Sequence, residues 1–429
     1  MRDGRRARDT MPPAATAAVV LLYALWGMAH NLNDILVAQF RKAFDLTDLQ
    51  SSLVQSCFYV AYLVAPIPVA MFMHRFGYRR GIVVGLSLYA IGALLFWPAA
   101  QSVTYGAFLG ALFVIACGIV FLETAGTGAI VAIGRPETAE WRINVAQAFN
   151  PLGTIAGVLI GRQFIFSAQE LDAARRDALS PAARASLRLA EAQAVQLPYL
   201  GIAIVLLIVA VAFLVIRFPP AMDRPDDASL TGEFGTLLGA RFFAAGVGVQ
   251  FCYVGAQVGV WSFLIRYAQQ TVPGTGERTA ALYLTVSLAI FFAGRLASLP
   301  LLRRWSSAQV CRTFACLATA GGMAIVAVPG PVGVAAMIAV SFFMSVMFPS
   351  IYAIALHGHA ARAKPAAALM TMAIVGGAVL TAAMGAISDA SGRIELAYLV
   401  PVAGFAVVAA YAHAAVRAGR VGSSVAAGH

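Results

Sequence analysis

Two carboxylates stand where a carboxylate is expensive. Glu123 follows the apolar run Phe113–Leu122, and Asp34 closes the polar stretch His30-Asn31-Leu32-Asn33-Asp34 inside an otherwise apolar segment. A charge at the centre of a membrane helix costs about 2.5–3.5 kcal/mol on insertion scales, so an acid kept there is a candidate for chemistry. Glu123 lies ten residues before the inner end of its run, near residue 133. At the helical rise that is about 15 Å, close to a bilayer midplane. No basic residue of the same run stands near enough to pair with it. Such a carboxyl spends part of its time neutral, as a proton-coupling group must. The bland reading is a permanently protonated acid bonded to a neighbouring helix. Asp34 has two readings as well, a helix-end residue near the outer headgroups or a carboxylate facing a cavity.

Amides recur beside these acids. Asn31 and Asp34 are three apart and share a helix face. Asn144, Gln147 and Asn150 recur every three residues and are followed by Pro151. Gln250, Tyr253, Gln257 and Trp261 form a second stripe. An amide offers donors and acceptors that suit hydroxyl groups, and an aromatic face packs on the apolar C–H side of a sugar ring. Interhelical bonding is the alternative for Gln147 and Asn150, and interface anchoring for the aromatics. Pro151 removes a helical hydrogen bond and can kink its segment. Gly153, Gly157 and Gly161 form a row that lets a neighbouring helix approach closely. Arg295 is the one arginine well inside an apolar run, either a gate or counter-ion or a side chain snorkelling to the inner surface.

The elements that must carry these residues are membrane helices. Of 429 residues 60% are hydrophobic and only 11% charged, with a mean hydropathy of +0.80. A soluble domain is about 25% charged. Apolar segments fall near 16–40, 51–73, 80–99, 106–133, 142–166, 197–218, 241–269, 279–302, 309–328, 331–357, 365–388 and 395–416. That is an all-α membrane protein with twelve spans. The formal charge of +11 does not point to nucleic acid, because the basic residues are dispersed in the short connections, where they orient spans. Arg75, Arg79, Arg80, Arg135, Arg142, Arg303, Arg304, Arg312, Arg362, Lys364, Arg417 and Arg420 then lie inside, with both termini cytoplasmic in a bacterial inner membrane. The basic N-terminal residues lead into an uncleaved first span, with Met11 an alternative start. A loop over 168–196 is expected to form an exposed amphipathic helix. The five cysteines lack the spacing of a metal site, and no metal or other cofactor is expected.

A proline- and aspartate-bearing stretch divides the chain into an N-terminal six-helix half (1–218), a cytoplasmic linker (219–240) and a C-terminal half (241–429). The turn His74-Arg75-Phe76-Gly77-Tyr78-Arg79-Arg80 has a weak counterpart in Leu301-Leu302-Arg303-Arg304-Trp305. Twelve spans, a central linker and this repeat point to the major facilitator architecture of two pseudo-symmetric halves.

Several runs carry a more specific resemblance. They are Asn31-Leu32-Asn33-Asp34-Ile35-Leu36, Gly92-Ala93-Leu94-Leu95-Phe96-Trp97-Pro98-Ala99-Ala100, Leu122-Glu123-Thr124-Ala125, Asn144-Val145-Ala146-Gln147-Ala148-Phe149-Asn150 and Phe251-Cys252-Tyr253-Val254-Gly255-Ala256-Gln257. With the run Trp261–Ala268 they resemble the L-fucose–proton symporters of the major facilitator superfamily, along nearly the whole chain. The resemblance implies that Asp34 and Glu123 match transport-essential acids and that Asn31, Gln147 and Asn150 match sugar-site amides. It implies H⁺ as the coupling ion and a small sugar as the partner. Na⁺ is compatible with the same oxygen donors. The chain is expected to act as a monomer. Gly126-Thr127-Gly128 departs from the family's Ala-Asn-Pro beside the key acid, and Phe348-Pro349 from its Tyr-Pro. Other readings are a glucose/galactose-type carrier, a drug–proton antiporter and a non-transporting membrane sugar sensor. The amide-rich fifth and seventh spans argue against the antiporter, and the lack of room for an output domain against the sensor. No nucleophile–base pair or metal cluster stands out to support an enzyme.

Overall fold

The computed structural model describes residues 13–43, 57–102, 104–132, 139–160, 164, 180–223, 230–359 and 362–419. The helices run as α1 (Pro13–Ala43), α2 (57–64), α3 (Pro66–Ser102), α4 (Tyr105–Ala132), α5 (Ala139–Gln147), α6 (Asn150–Ile160), α7 (Pro181–Gln193) and α8 (Gln196–Val215). They continue as α9 (Leu230–Gly239), α10 (Arg241–Thr271), α11 (Glu277–Arg304), α12 (Ser307–Ala327), α13 (Pro331–Met344), α14 (Met347–Leu356), α15 (Ala363–Met372), α16 (Gly376–Ser391), α17 (Ile394–Ala397) and α18 (Leu399–Arg417). Runs this apolar must satisfy every backbone polar group internally, and a helix does so within one segment. Nine helical stretches among the described residues are long and apolar enough to cross a membrane, and Ala14–Ala29 is a shorter apolar helix.

The chain forms two compact units. The first comprises Met1–Gly126 and Phe149–Asp226, the second Thr127–Ala148 and Asp227–His429. In the first unit α6 packs along α1, and α8 along α3. The amphipathic helix expected in the loop over 168–196 is α7, capped by Ser180, whose hydroxyl accepts from the Ala183 N–H. It rests on α1 and α3. The basic turn after the second span is made by Gly77, whose φ of 83° opens the left-handed region to the chain.

In the second unit α12 lies between α18 and α13, while α10 packs on α14, α16 and α18. α5 packs on α11 and α14. The stretch read as a linker is partly helical: α9 rests on α10 and α15. Two apolar segments expected as continuous spans are broken. Turns at Ala148–Phe149 and Ser345–Val346 separate α5 from α6 and α13 from α14. Pro151 and Pro349 follow these breaks and lack the N–H that a continuous ladder requires.

Candidate functional site

In the first unit Glu123 sits on α4 with 4% of its surface exposed. The Tyr62 hydroxyl, from α2, hydrogen-bonds its carboxyl, and the Trp26 indole of α1 borders that hydroxyl. The other carboxyl oxygen, Oε2, has no partner among the described residues. Tyr62 therefore holds this acid at one oxygen and the second is left unsatisfied, at a cost of about 1–3 kcal/mol for a buried polar group.

Asn150 opens α6. Its Nδ2 donates to the Tyr23 carbonyl of α1 at 3.3 Å. The Thr154 hydroxyl, one turn on, donates to the carbonyls of Gly27 and Asn150. A methyl group built on Gly153 would overlap the Ala24 carbonyl, and one on Gly27 the Asn150 carbonyl. Of the glycine row read from the sequence, Gly153 thus marks a contact close enough for an amide on one helix to reach the backbone of the next, while Gly161 lies outside the described residues. Asn31 and Asp34 belong to the same helix α1, but their side chains lie outside the described residues.

Arg295 organises the second unit. It is 4% exposed and does not snorkel. Its Nε donates to the Ser345 carbonyl at 2.9 Å, and its Nη1 to the Gln147 carbonyl at 2.7 Å and more distantly to Gln147 Oε1. The guanidinium lies over the Phe291 ring, 4.9 Å from its centre. Both carbonyls are the ones a helix would pair four residues later, with positions 349 and 151, where proline has no N–H to give. One buried cation thereby satisfies two proline-orphaned acceptors. Gln147 Nε2 has no partner among the described residues.

Tyr253 acts at the same break. Its hydroxyl donates to the Met344 carbonyl at 2.7 Å and accepts from the Phe348 backbone N–H. These are the two ends of one helical i to i−4 bond, so the phenol is inserted into the ladder. Trp261 Nε1 donates to the Ser341 hydroxyl at 3.1 Å, and its ring meets Phe291 edge-on. Ser341 in turn shares a hydrogen bond with Ser287. Gln257 is half-buried on the same stripe.

Of the residues read from the sequence, the structure brings Gln147 to Arg295, and Trp261 to Phe291, on which Arg295 stacks. Within the first unit Asn150 bonds the Tyr23 carbonyl. Sequence reasoning passed over Tyr62, Phe291, Ser341 and Ser345. For Ser345 a signal was present in Pro349; for Tyr62 there was none, since its contact crosses between helices.

Helices this apolar, carrying acids and amides buried within them, define a multi-pass membrane protein that moves polar solutes. The chain belongs to the Major Facilitator Superfamily, whose family model matches residues 17–379. Within it, the chain is 37% identical over 418 residues to the L-fucose-proton symporter of Escherichia coli (strain K12), covering 96% of this chain and 94% of that one. It is 35% identical to the glucose/galactose transporter of Brucella abortus biovar 1 (strain 9-941), covering 92% and 93%. The crystal structure of a Major Facilitator Superfamily transporter, FucP, in the outward conformation matches with a TM-score of 0.86 at 38% identity, covering 93% of this chain and 97% of that chain. A proton:xylose symporter at 14% identity and a TM-score of 0.68 shares the fold. The chain is a transporter and not an enzyme.

Proposed function

We propose that this protein is a proton-coupled sugar symporter that imports L-fucose or a closely related hexose or pentose by alternating access. It would reside in the bacterial inner membrane with both termini cytoplasmic. Residues 1–218 and 241–429 would serve as the two six-helix halves, with 219–240 as the linker. The observation that carries the reading is Glu123, a carboxyl buried in α4 and tied to Tyr62 at one oxygen only. A charged acid opposes closure of a dry site, and protonation removes that charge. Asp34 would be the second proton-exchanging group. Asn31, Gln147, Asn150, Gln257 and Trp261 would contact the sugar, and Arg295 would hold the helix breaks in place. A ligand shifts such an equilibrium only by binding the states differently, which is the task of these amides.

Uptake into proteoliposomes tests the reading, with a panel of L-fucose, D-arabinose, L-galactose, D-glucose and D-galactose. A pH gradient and a Na⁺ gradient are imposed separately. Accumulation is expected with the pH gradient. In Glu123→Gln, uphill accumulation should vanish while sugar exchange survives; accumulation that persists would remove the coupling role. A glucose or galactose carrier is the second reading, favoured by the 35% identity to a glucose/galactose transporter. The panel separates the two.

A further inference from the structure

Gln250 occupies a place that the site so far leaves unused. It stands on α10, fully buried at 0% exposure, and neither its Oε1 nor its Nε2 has a partner among the described residues. Ser350 on α14 is equally buried, and its hydroxyl is also unpartnered. Serine and threonine hydroxyls in helices usually return to their own backbone. In this unit Ser341 bonds the Met337 carbonyl and Thr319 the Ala315 carbonyl, but Ser350 makes no such bond.

The two groups lie at one level. α10 and α14 pack together and run antiparallel. At one end a methyl built on Gly246 would press on Ala355. At the other the Tyr253 hydroxyl bonds the Met344 carbonyl, and its ring faces Phe348. Gln250 falls between these contacts, level with Pro349 to Ile351. Gln250 also begins the stripe that continues through Tyr253 and Gln257 to Trp261.

We infer that Gln250 and Ser350 form a hydroxyl-recognising pair that binds two adjacent hydroxyls of the transported sugar and sets which sugar is accepted. The pair rests on the sugar-carrier reading. An amide supplies one donor and one acceptor side by side, and a serine hydroxyl either, so together they match a vicinal diol. A site built to bond a hydroxyl discriminates strongly against a sugar that lacks it, because its own polar groups are then left unpaired. Burial of both groups in this conformation means that sugar reaches them only when the spans move, as alternating access demands.

The test is sugar exchange in proteoliposomes, comparing the unmodified protein with Gln250→Met and Ser350→Ala. Each sugar of the panel that the unmodified protein carries is tested with its mono-deoxy analogues. Gln250→Met is expected to raise KM at least tenfold with little change in the maximal rate. It should also collapse the preference for the parent sugar over one or two deoxy analogues. Ser350→Ala should give a smaller change against the same analogues. Thermal stability should hold or rise in Gln250→Met, since replacing an unpartnered amide with an apolar isostere removes a desolvation cost. An unchanged KM would overturn the pair and leave the amide as a holder of water. A Gln250→Met protein that loses stability or fails to fold would overturn it too, because an unpartnered amide has no stabilisation to lose. If the unmodified protein exchanges no sugar at all, the carrier reading fails first and the pair with it.

Discussion

Arg295 ties two helix breaks together with a single side chain. Its fork reaches Ser345 and Gln147, two backbone acceptors that Pro349 and Pro151 leave without an N–H. A buried polar group without a partner costs about 1–3 kcal/mol, so two of them make this arginine a structural requirement. Arg295→Met should therefore lower the stability of the purified protein by about 2–6 kcal/mol, the sum expected for two such carbonyls. The combination Arg295→Met, Pro151→Ala and Pro349→Ala should recover part of that loss, because each alanine returns an N–H to its carbonyl. Retention in size-exclusion chromatography after heating reads both. Absence of any recovery would mean that the arginine acts through its charge rather than through these carbonyls. In the sequence the arginine was legible as misplaced and Pro151 as a helix breaker, while Pro349 was read only as part of a departure from the family's Tyr-Pro. Their meeting was not, because nothing in a linear pattern says which side chain answers which orphaned carbonyl. Glu123 was legible for the same reason as Arg295, its depth in an apolar run. Tyr62 was not, since a tyrosine in a span looks like any other apolar side chain until its hydroxyl finds the acid.

Between helices the legible signal was the glycine row of the fifth span. Gly153 meets the backbone of α1 at Ala24, and Gly27 answers from α1 against Asn150. Small residues allow membrane helices to approach until backbone meets backbone, where dispersion contacts are densest. Gly153→Ala would force α6 off α1 and carry the Asn150 amide away from the Tyr23 carbonyl. Transport is expected to fall at least tenfold and the heat-resistant fraction to shrink. Gly110→Ala and Gly201→Ala provide the contrast, because a methyl at either meets nothing within 4 Å. Those two should transport normally and be neutral or stabilised by up to about 1 kcal/mol, the helix-propensity difference between glycine and alanine. If all three variants behave alike, the row is not a contact seam. The sequence did not reveal where the spans break. Pro151 announced a kink, yet the full turn at Ala148–Phe149 and its counterpart at Ser345–Val346 depend on Arg295 and Tyr253 to hold the open ends.

For the molecule as a whole, hydropathy and loop charge made the helical membrane architecture legible, because lipid leaves the backbone few other choices. The grouping of segments was less so: Thr127–Ala148 stands with the second compact unit, while Phe149–Asp226 stands with the first. That partition follows from the packing of α5 on α11 and α14, which no composition shift announces. The basic turn after the second span shows the same limit. It was read as an orienting charge, but Arg79 does more. Its Nε and Nη2 donate to the Phe213 and Leu214 carbonyls at the end of α8, at 2.8 and 2.6 Å. Its Nη1 pairs with Asp223 at 3.5 Å, just past the turn Pro220–Met222. The turn between the second and third spans thus grips both the end of the sixth and the first residues of the linker. Gly77 permits this, since a methyl there would press on the Met222 carbonyl. The two kinds of bond differ in weight. An arginine that caps carbonyls at a helix C-terminus answers both unpaired acceptors and the negative end of the helix dipole. A partly exposed ion pair contributes about 0–1 kcal/mol. Arg79→Gln should then reduce thermal stability clearly, with a transport rate lowered several-fold. Asp223→Asn should leave both within about 1 kcal/mol of the unmodified protein. Heated size-exclusion retention and sugar exchange, measured on the two variants side by side, decide the matter. Should Asp223→Asn be as damaging as Arg79→Gln, the ion pair and not the helix end is what holds the linker.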